Sequence, residues 1–228
     1  MSDSMEVYRE QAERYDQLVS KQPGLWSVIR EIIPTQGLDV IDMGAGSGRL
    51  TTILAPYANS ILATDTSPQM LKINQRKLQA AQLSNYRLQV ADHRKIPAVD
   101  HGADLVIAGW SISYLGSSNV PNNEQNIEQV MQEMHRVLRK DGTIIIFETM
   151  GTGYEAPTPP IYLKRYYSLL ENTYGFSYKW VRLDYDFKDL QEADALTRFF
   201  FGDALADRVV AENLVHLPEC AGIWWLKK

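Results

Sequence analysis

Val40-Ile41-Asp42-Met43-Gly44-Ala45-Gly46-Ser47-Gly48-Arg49-Leu50 is the stretch that decides how this 228-residue chain is read. The largely apolar run from Leu38 to Met43 predicts a buried strand, and the pattern from Arg49 to Ala55 predicts a helix. Between them stand glycines at alternate positions. Glycine lets the backbone approach a ligand where any side chain would block it. The helix that follows offers unpaired N–H groups to whatever sits there. A strand, a glycine turn and a helix in this order form a cradle for a small ligand.

Two nucleotide-like cofactors compete for that geometry. The dinucleotide fingerprint G-x-G-x-x-G uses its third glycine for close helix–strand packing. Aligned on Gly44 and Gly46, that third glycine falls on Arg49, so a dehydrogenase is the weakest reading. The spacing present is Asp-x-Gly-x-Gly-x-Gly, Asp42 through Gly48. Here the chain resembles motif I of the class I S-adenosylmethionine-dependent methyltransferases, in which the turn passes under the methionine part of the cofactor.

The neighbouring segments extend the resemblance. Ser60 to Asp65 reads as a second short strand ending in a carboxylate, and Asp65 lies 21 residues after Gly44. A Rossmann-like unit places an acid on the ribose hydroxyls at roughly 20 residues, and a carboxylate can accept from both hydroxyls at once. Thr66-Ser67-Pro68 supplies a cap and an N-terminal proline for a helix over Gln69 to Gln82 that buries Met70, Leu71, Ile73 and Leu78. Asp-x-Ser-Pro-x-Met-Leu, Asp65 to Leu71, is very like motif II of the same family. A third strand, Arg87 to Ala91, is followed by Asp92-His93; at this place the family uses an acid to accept from the adenine amino group. His93 is read at the adenine edge rather than as a base.

Ala103 to Gly109 predicts a fourth strand, buried on both faces. Ligands of open α/β sheets lie outside the carboxyl ends of the strands, which puts Trp110, Ser111 and Tyr114 where donor and acceptor should meet. Metal-dependent catechol-type members carry an Asp near an Asp-Asn pair at this edge. Trp-Ser stands here instead, and the four histidines and Cys220 show no close metal-ligand spacing, so no metal is expected. Asn126 to Leu138 predicts a helix that closes on a basic turn and a glycine cap, Arg139 to Gly142, before a fifth strand, Thr143 to Phe147. Glu148 follows at the ligand edge.

Both ends of the chain are less informative. Val7 to Val19 has helical spacing, and the family often folds an N-terminal Tyr-Asp pair over its cofactor, which singles out Tyr15-Asp16. After Met150 the prolines of the 153–160 segment break regular structure. A helix over Ile161 to Tyr174, a strand over Tyr178 to Phe187, helices at Leu190 to Phe201 and Ala204 to Asn213, and a broken strand over Leu214 to Leu226 are expected there.

Composition agrees with a soluble globular protein. The chain is 45% hydrophobic and 22% charged, ordinary for a folded domain, and its net charge of −5 with no Lys/Arg run argues against a nucleic-acid partner. The first six residues carry neither a basic segment nor an apolar core, no run is long enough to span a bilayer, and a lone cysteine cannot form an internal disulfide. A cytoplasmic location without a membrane partner is expected, as a monomer or homodimer.

The resemblance thus implies an α/β fold: a Rossmann-like, doubly wound, mostly parallel seven-stranded sheet with a reversed C-terminal strand. One domain is expected, with a helical cap over 1–34, a cofactor core over 35–151 and acceptor-side elements over 152–228. The cofactor implied is S-adenosylmethionine, the product S-adenosylhomocysteine, and the partner a small-molecule methyl acceptor. Cofactor contacts fall on Tyr15, Asp42, Gly44, Ala45, Gly46, Gly48, Asp65, Thr66, Met70, Asp92, His93, Trp110 and Ser111; Tyr114, Glu148 and His216 are the candidate bases. A catalytically silent cofactor-binding subunit, or a protein or nucleic-acid methyltransferase, is the alternative. The latter would want a basic face and an Asn/Asp-Pro-Pro-Tyr-type motif, neither of which is present.

Overall fold

The computed structural model describes residues 10–228. Positions Val7 and Tyr8 of the expected first helix lie outside them. The described part begins with α1 (Ala12–Val19) and α2 (Trp26–Ile32). Then come β1 (Asp39–Met43), α3 (Thr51–Leu54), β2 (Ser60–Asp65), α4 (Pro68–Ala80), β3 (Tyr86–Val90), β4 (Ala103–Gly109), α5 (Ser113–Gly116) and α6 (Asn123–Val137). The remainder is β5 (Leu138–Thr152), a 3-10 turn at Ile161–Leu163, α7 (Lys164–Asn172), β6 (Ser177–Arg182), β7 (Tyr185–Asp186), α8 (Leu190–Phe201), α9 (Asp203–Ala211), β8 (His216–Leu217) and β9 (Glu219–Lys227).

Seven strands form one sheet in the order β3-β2-β1-β4-β5-β9-β6. Neighbours from β3 to β5 run parallel, and β9 runs antiparallel to both β5 and β6. This is the mostly parallel sheet with a reversed C-terminal strand. The strand order reverses after β1, and β1 and β4 diverge toward different crossovers there; such a switch point opens a crevice at the carboxyl ends.

The pleat explains which side chain faces which helix layer. Along β1, Ile41 and Met43 join the core under α6 and α7, whereas Val40 joins the core under α2, α3 and α4. Alternation puts Asp42 on the Val40 side, toward α3. Along β5, Ile144 and Ile146 belong to the α6/α7 core and Ile145 and Phe147 to the other. Glu148 therefore faces the first of these, where Tyr166 waits on α7. Helix α6 buries Ile127, Val130, Met131, Met134 and Val137, one apolar stripe at the helical period. Helix α4 starts as its sequence demands: Ser67 Oγ accepts from Met70 N at 3.3 Å and Pro68 occupies the first turn.

Several boundaries differ from the sequence reading. Helix α6 ends at Val137, and Leu138 is already extended; Gly142 is no helix cap. Residues 139–142 instead bulge from the β4–β5 ladder, because Leu138 pairs with Ala103 and Thr143 with Leu105. The Arg139 guanidinium holds this bulge by reaching Asp39 at 2.8 Å and Asp104 at 2.6 Å. The helix expected from Arg49 is only the turn Thr51–Leu54. The strand expected over Tyr178 to Phe187 breaks at Leu183-Asp184, where Asp184 accepts from Arg182 and from Glu219 N. Its far half, β7, pairs with β8 in a separate two-stranded sheet.

Candidate active site

The glycine turn connects β1 to α3 in a conformation that other residues adopt only at a cost. Gly44, Gly46 and Gly48 have φ of 68°, 53° and 93°, the left-handed region. A Cβ on Gly44 would lie 2.4 Å from Ser111 Cβ and 2.9 Å from His93 Cε1, and one on Gly48 would lie 2.4 Å from Asn74 Oδ1. The turn is thus wedged between the segments that follow β3 and β4 and the middle of α4. Ser111 Oγ donates to Met43 O at 3.1 Å, tying the end of β4 to the end of β1.

Asp65 is the peg of this arrangement. Its Oδ2 accepts from Gly46 N and its Oδ1 from Ser67 N, both at 2.8 Å, so one carboxylate joins the turn to the start of α4. Burial raises its pKa against these two amide bonds. Each oxygen keeps a lone pair, which suits a diol laid alongside. Beneath the turn, Thr51 donates to Asp42 Oδ2 at 2.6 Å and Asn74 Nδ2 donates to Thr51 at 2.9 Å. Asp42 Oδ1 and Asn74 Oδ1 have no partner. Desolvation pushes the Asp42 carboxyl up to about 7, and the neighbouring Asp65 charge adds to this.

A cavity of about 530 Å³ opens at the carboxyl ends of β1, β4 and β5. That volume suits a drug-sized ligand. Among the expected residues it is lined by Tyr15, Asp42, Gly44, Ala45, Gly46, Trp110, Tyr114 and Glu148. Its outer wall is aromatic, with Tyr162, Tyr185, Phe200 and Phe201. Helix α1 brings Tyr15 there: Ala12 packs with Met70 and Ile73 of α4, Lys77 of α4 pairs with Asp16, and Tyr15 leans on Phe200 at 5.2 Å between ring centroids.

Glu148 is 1% exposed. Its Oε1 accepts from Ser113 N at 2.9 Å and from Tyr166 Oη at 3.4 Å, and its Oε2 has no partner. Burial outweighs these bonds and raises its pKa to about 7. A carboxyl in that range can lose or take a proton near neutral pH. Trp110 sits at φ +51°, held by its N–H donation to Phe147 O at 2.7 Å, and its ring is sandwiched between Phe147 and the Arg49 guanidinium.

Gly48, Asp65, Thr66, Met70, His93 and Ser111 are not among the residues lining the cavity, and Asp65 adjoins it through Gly46 N. His93, desolvated against Gly44 and Ser111, has its pKa lowered to about 4 and stays neutral. Both oxygens of Asp92 accept from the Arg94 fork, at 2.9 and 2.8 Å, and Arg94 holds the carboxyl below the usual range. One expectation needs correction. His216 was a candidate base, yet it lies on β8 with its ring 76% exposed and Nδ1 2.6 Å from Asp186, outside the cavity lining. The break at Leu183-Asp184 explains this, since it sends β7 and β8 into a sheet of their own.

Sequence reasoning also missed residues. Arg49 lines the cavity but entered only as the residue that breaks a fingerprint. Glu219, 2% exposed and pushed up to about 7 by burial, accepts from Thr149 Oγ1 at 2.9 Å; a carboxylate flanking Pro218 was its only signal. Among the described residues, no three His, Cys, Asp or Glu side chains are placed to hold a metal ion, and no helix is long and apolar enough to cross a membrane.

The comparisons with known proteins agree with this geometry. Residues 41–146, from β1 into β5, match the family model described as methyltransferase domain. Phosphoethanolamine N-methyltransferase 1 of Caenorhabditis elegans is 35% identical over 111 residues, covering 49% of this chain and 22% of that protein. Demethylmenaquinone methyltransferase of Lactobacillus johnsonii is 30% identical over 125 residues, 53% of this chain and 46% of that protein. The chain thus spans less than half the length of these two relatives. The crystal structure of the YcgJ protein of Bacillus subtilis superposes with a TM-score of 0.60 at 14% identity, over 89% of this chain and 97% of that one, which is a likeness of fold.

Proposed function

Taking this chain as a class I S-adenosylmethionine-dependent methyltransferase, the family to which its domain and fold assign it, we propose that it methylates an O, N or C atom of a small-molecule acceptor. The observation that carries the proposal is the single cavity in which the glycine turn, Trp110, Tyr114 and the buried Glu148 meet. When bound, S-adenosylmethionine supplies a methyl group already activated by the positive sulfonium.

The chain's own part is alignment and exclusion of water. Gly44 to Gly46 bring backbone close beneath the amino-acid portion, and Asp65 offers its free lone pairs to the ribose diol. The aromatic wall of Tyr15, Tyr162, Tyr185, Phe200 and Phe201 keeps the reacting atoms dry and favours an acceptor with an apolar or planar body. Glu148 takes the proton of an acidic acceptor hydroxyl or amine on Oε2, while Ser113 N and Tyr166 hold Oε1 in place. The relatives named for phosphoethanolamine and demethylmenaquinone support a small acceptor and leave its identity to experiment.

Calorimetric titration with S-adenosylmethionine and S-adenosylhomocysteine tests the cofactor. Wild type should bind both, and Asp65→Ala should bind more weakly by about 2–3 kcal/mol, the worth of the charged hydrogen bonds to two hydroxyls and of the tethered turn. No binding to wild type would defeat the reading. Binding with no methyl transfer across a broad panel of small acceptors would favour a silent binding subunit.

A further inference from the structure

Three acids are buried among the described residues, Asp42, Glu148 and Glu219, and all gather at one cavity. Asp42 and Glu148 line it. Glu219 stands one side chain behind: its Oε1 accepts at 2.9 Å from the hydroxyl of Thr149, which lines the cavity, and Thr152 of the same lining bonds this carboxyl too. Proton transfer occupies Glu148 and leaves Glu219 without a task. Yet Glu219 is an unusual carboxyl. It is 2% exposed, its Oε2 is buried with no hydrogen-bond partner, and it forms no salt bridge with a described residue. The groups that face it are Arg49, Asp184 and Cys220, with the phenols of Tyr167 and Tyr185. Arg49 favours its charge and Asp184 opposes it, and burial outweighs both, raising the carboxyl to about 7. A buried acid without a paired cation keeps its proton, and a cation brought near makes it give that proton up.

We propose that Glu219 is the charge-balancing residue of this cavity: it holds a proton while the cavity is empty or filled by a neutral ligand, and it ionises when a cationic methyl donor enters. The inference rests on the methyltransferase reading, because the cation concerned is the donor's sulfonium. Glu219 need not touch the donor. Across a dry wall one side chain thick, a charge is screened far less than in water. The sign follows from linkage. The donor stabilises the carboxylate, so its binding releases a proton, and its affinity rises as pH climbs through the range in which Glu219 titrates. S-adenosylhomocysteine has a neutral sulfur and draws no such gain. The cavity therefore favours the charged donor over the spent product, and more strongly at neutral pH than in acid.

The test measures by calorimetry the dissociation constants of S-adenosylmethionine and S-adenosylhomocysteine at pH 5.5 and pH 7.5, with wild type and Glu219→Gln. The glutamine keeps an acceptor oxygen for Thr149 and cannot titrate. If the donor lowers the carboxyl by about one pKa unit, wild type gains roughly fivefold more affinity for S-adenosylmethionine over that interval than the variant does. For S-adenosylhomocysteine the two proteins gain alike. The ligands' own amino groups, and Asp42 and Glu148, are common to both proteins and cancel from the comparison. Equal gains for S-adenosylmethionine in the two proteins overturn the proposal. A difference of the same size for both ligands overturns it too, since that is what a purely structural Glu219 would give. Should Glu219→Gln fail to fold, carbon-13 NMR of the wild-type Glu219 carboxyl carries the test. Its titration midpoint should fall by about one unit with S-adenosylmethionine bound and stay near 7 with S-adenosylhomocysteine; equal midpoints overturn the proposal. Failure of the underlying reading looks different: wild type then binds neither ligand.

Discussion

Replacing Gly44 by alanine isolates what the glycine turn demands. Two costs add there. The left-handed φ of +68° costs a residue with a Cβ about 1–2 kcal/mol. The new Cβ would also stand 2.4 Å from Ser111 Cβ and 2.5 Å from Ser111 Oγ, an overlap that must displace the end of β4. Overpacking of this kind typically adds about 1–3 kcal/mol. Gly44→Ala should therefore lose about 2–5 kcal/mol, a large share of the roughly 5–15 kcal/mol that holds a domain together. Gly37 provides the control: its φ is +74° and nothing lies within 4 Å of the position a Cβ would take. Gly37→Ala should show the backbone part alone, about 1–2 kcal/mol. The double substitution Gly44→Ala, Ser111→Gly removes the overlap with Ser111 but leaves the 2.9 Å approach to His93 Cε1 and gives up the Ser111–Met43 hydrogen bond, so it should recover only part of the difference. Urea unfolding with unchanged slope measures all four proteins. If Gly44→Ala and Gly37→Ala lose equal stability, the close contact between turn and β4 is not what fixes glycine at 44.

Three further outcomes follow from the charges. With an acceptor in hand, wild-type turnover should rise with pH and level off above about 7, as Glu148 loses its proton; Glu148→Gln should lose that limb and fall by about 10²–10⁴-fold, read as S-adenosylhomocysteine released. An unchanged profile would remove Glu148 as the base. Glu219 has a folded pKa near 7 against an ordinary 4.5, so the native state binds the extra proton between those values, and stability falls as pH climbs from about 4.5 to 7. Glu219→Gln should flatten that decline, measured by unfolding at pH 5 and pH 8; parallel curves would speak against it. His216→Ala should keep activity within about twofold, because an exposed histidine paired to Asp186 is remote from the cavity; a hundredfold loss would return it to the site.

What could be read from the sequence was what local chemistry determines. Ser67-Pro68 announced the start of α4 because a cap and an N-terminal proline act within one turn, and Ala103 to Gly109 announced β4 because a strand covered on both faces is an almost continuous apolar run, here broken only by Asp104. Alternate glycines marked a turn whose torsions only glycine adopts freely. The errors arose where a distant partner decides. Arg139 looked like the basic end of a helix, but Asp39 and Asp104, far away in sequence, draw it into a strand bulge. Arg49 and Glu219 are ordinary charged residues in sequence; only burial makes them unusual, and burial is a property of the fold.

The placement of β9 between β5 and β6 has a consequence for assembly. Strand β6 precedes β9 in the chain but touches no other strand of the large sheet, so during synthesis it has nothing to join until β9 has been made. Until then the outer side of β5 is an open edge rich in isoleucine, a ready template for another nascent chain. The Glu219–Lys227 segment is thus the keystone between β5 and β6, and both must wait for it because both precede it in the chain.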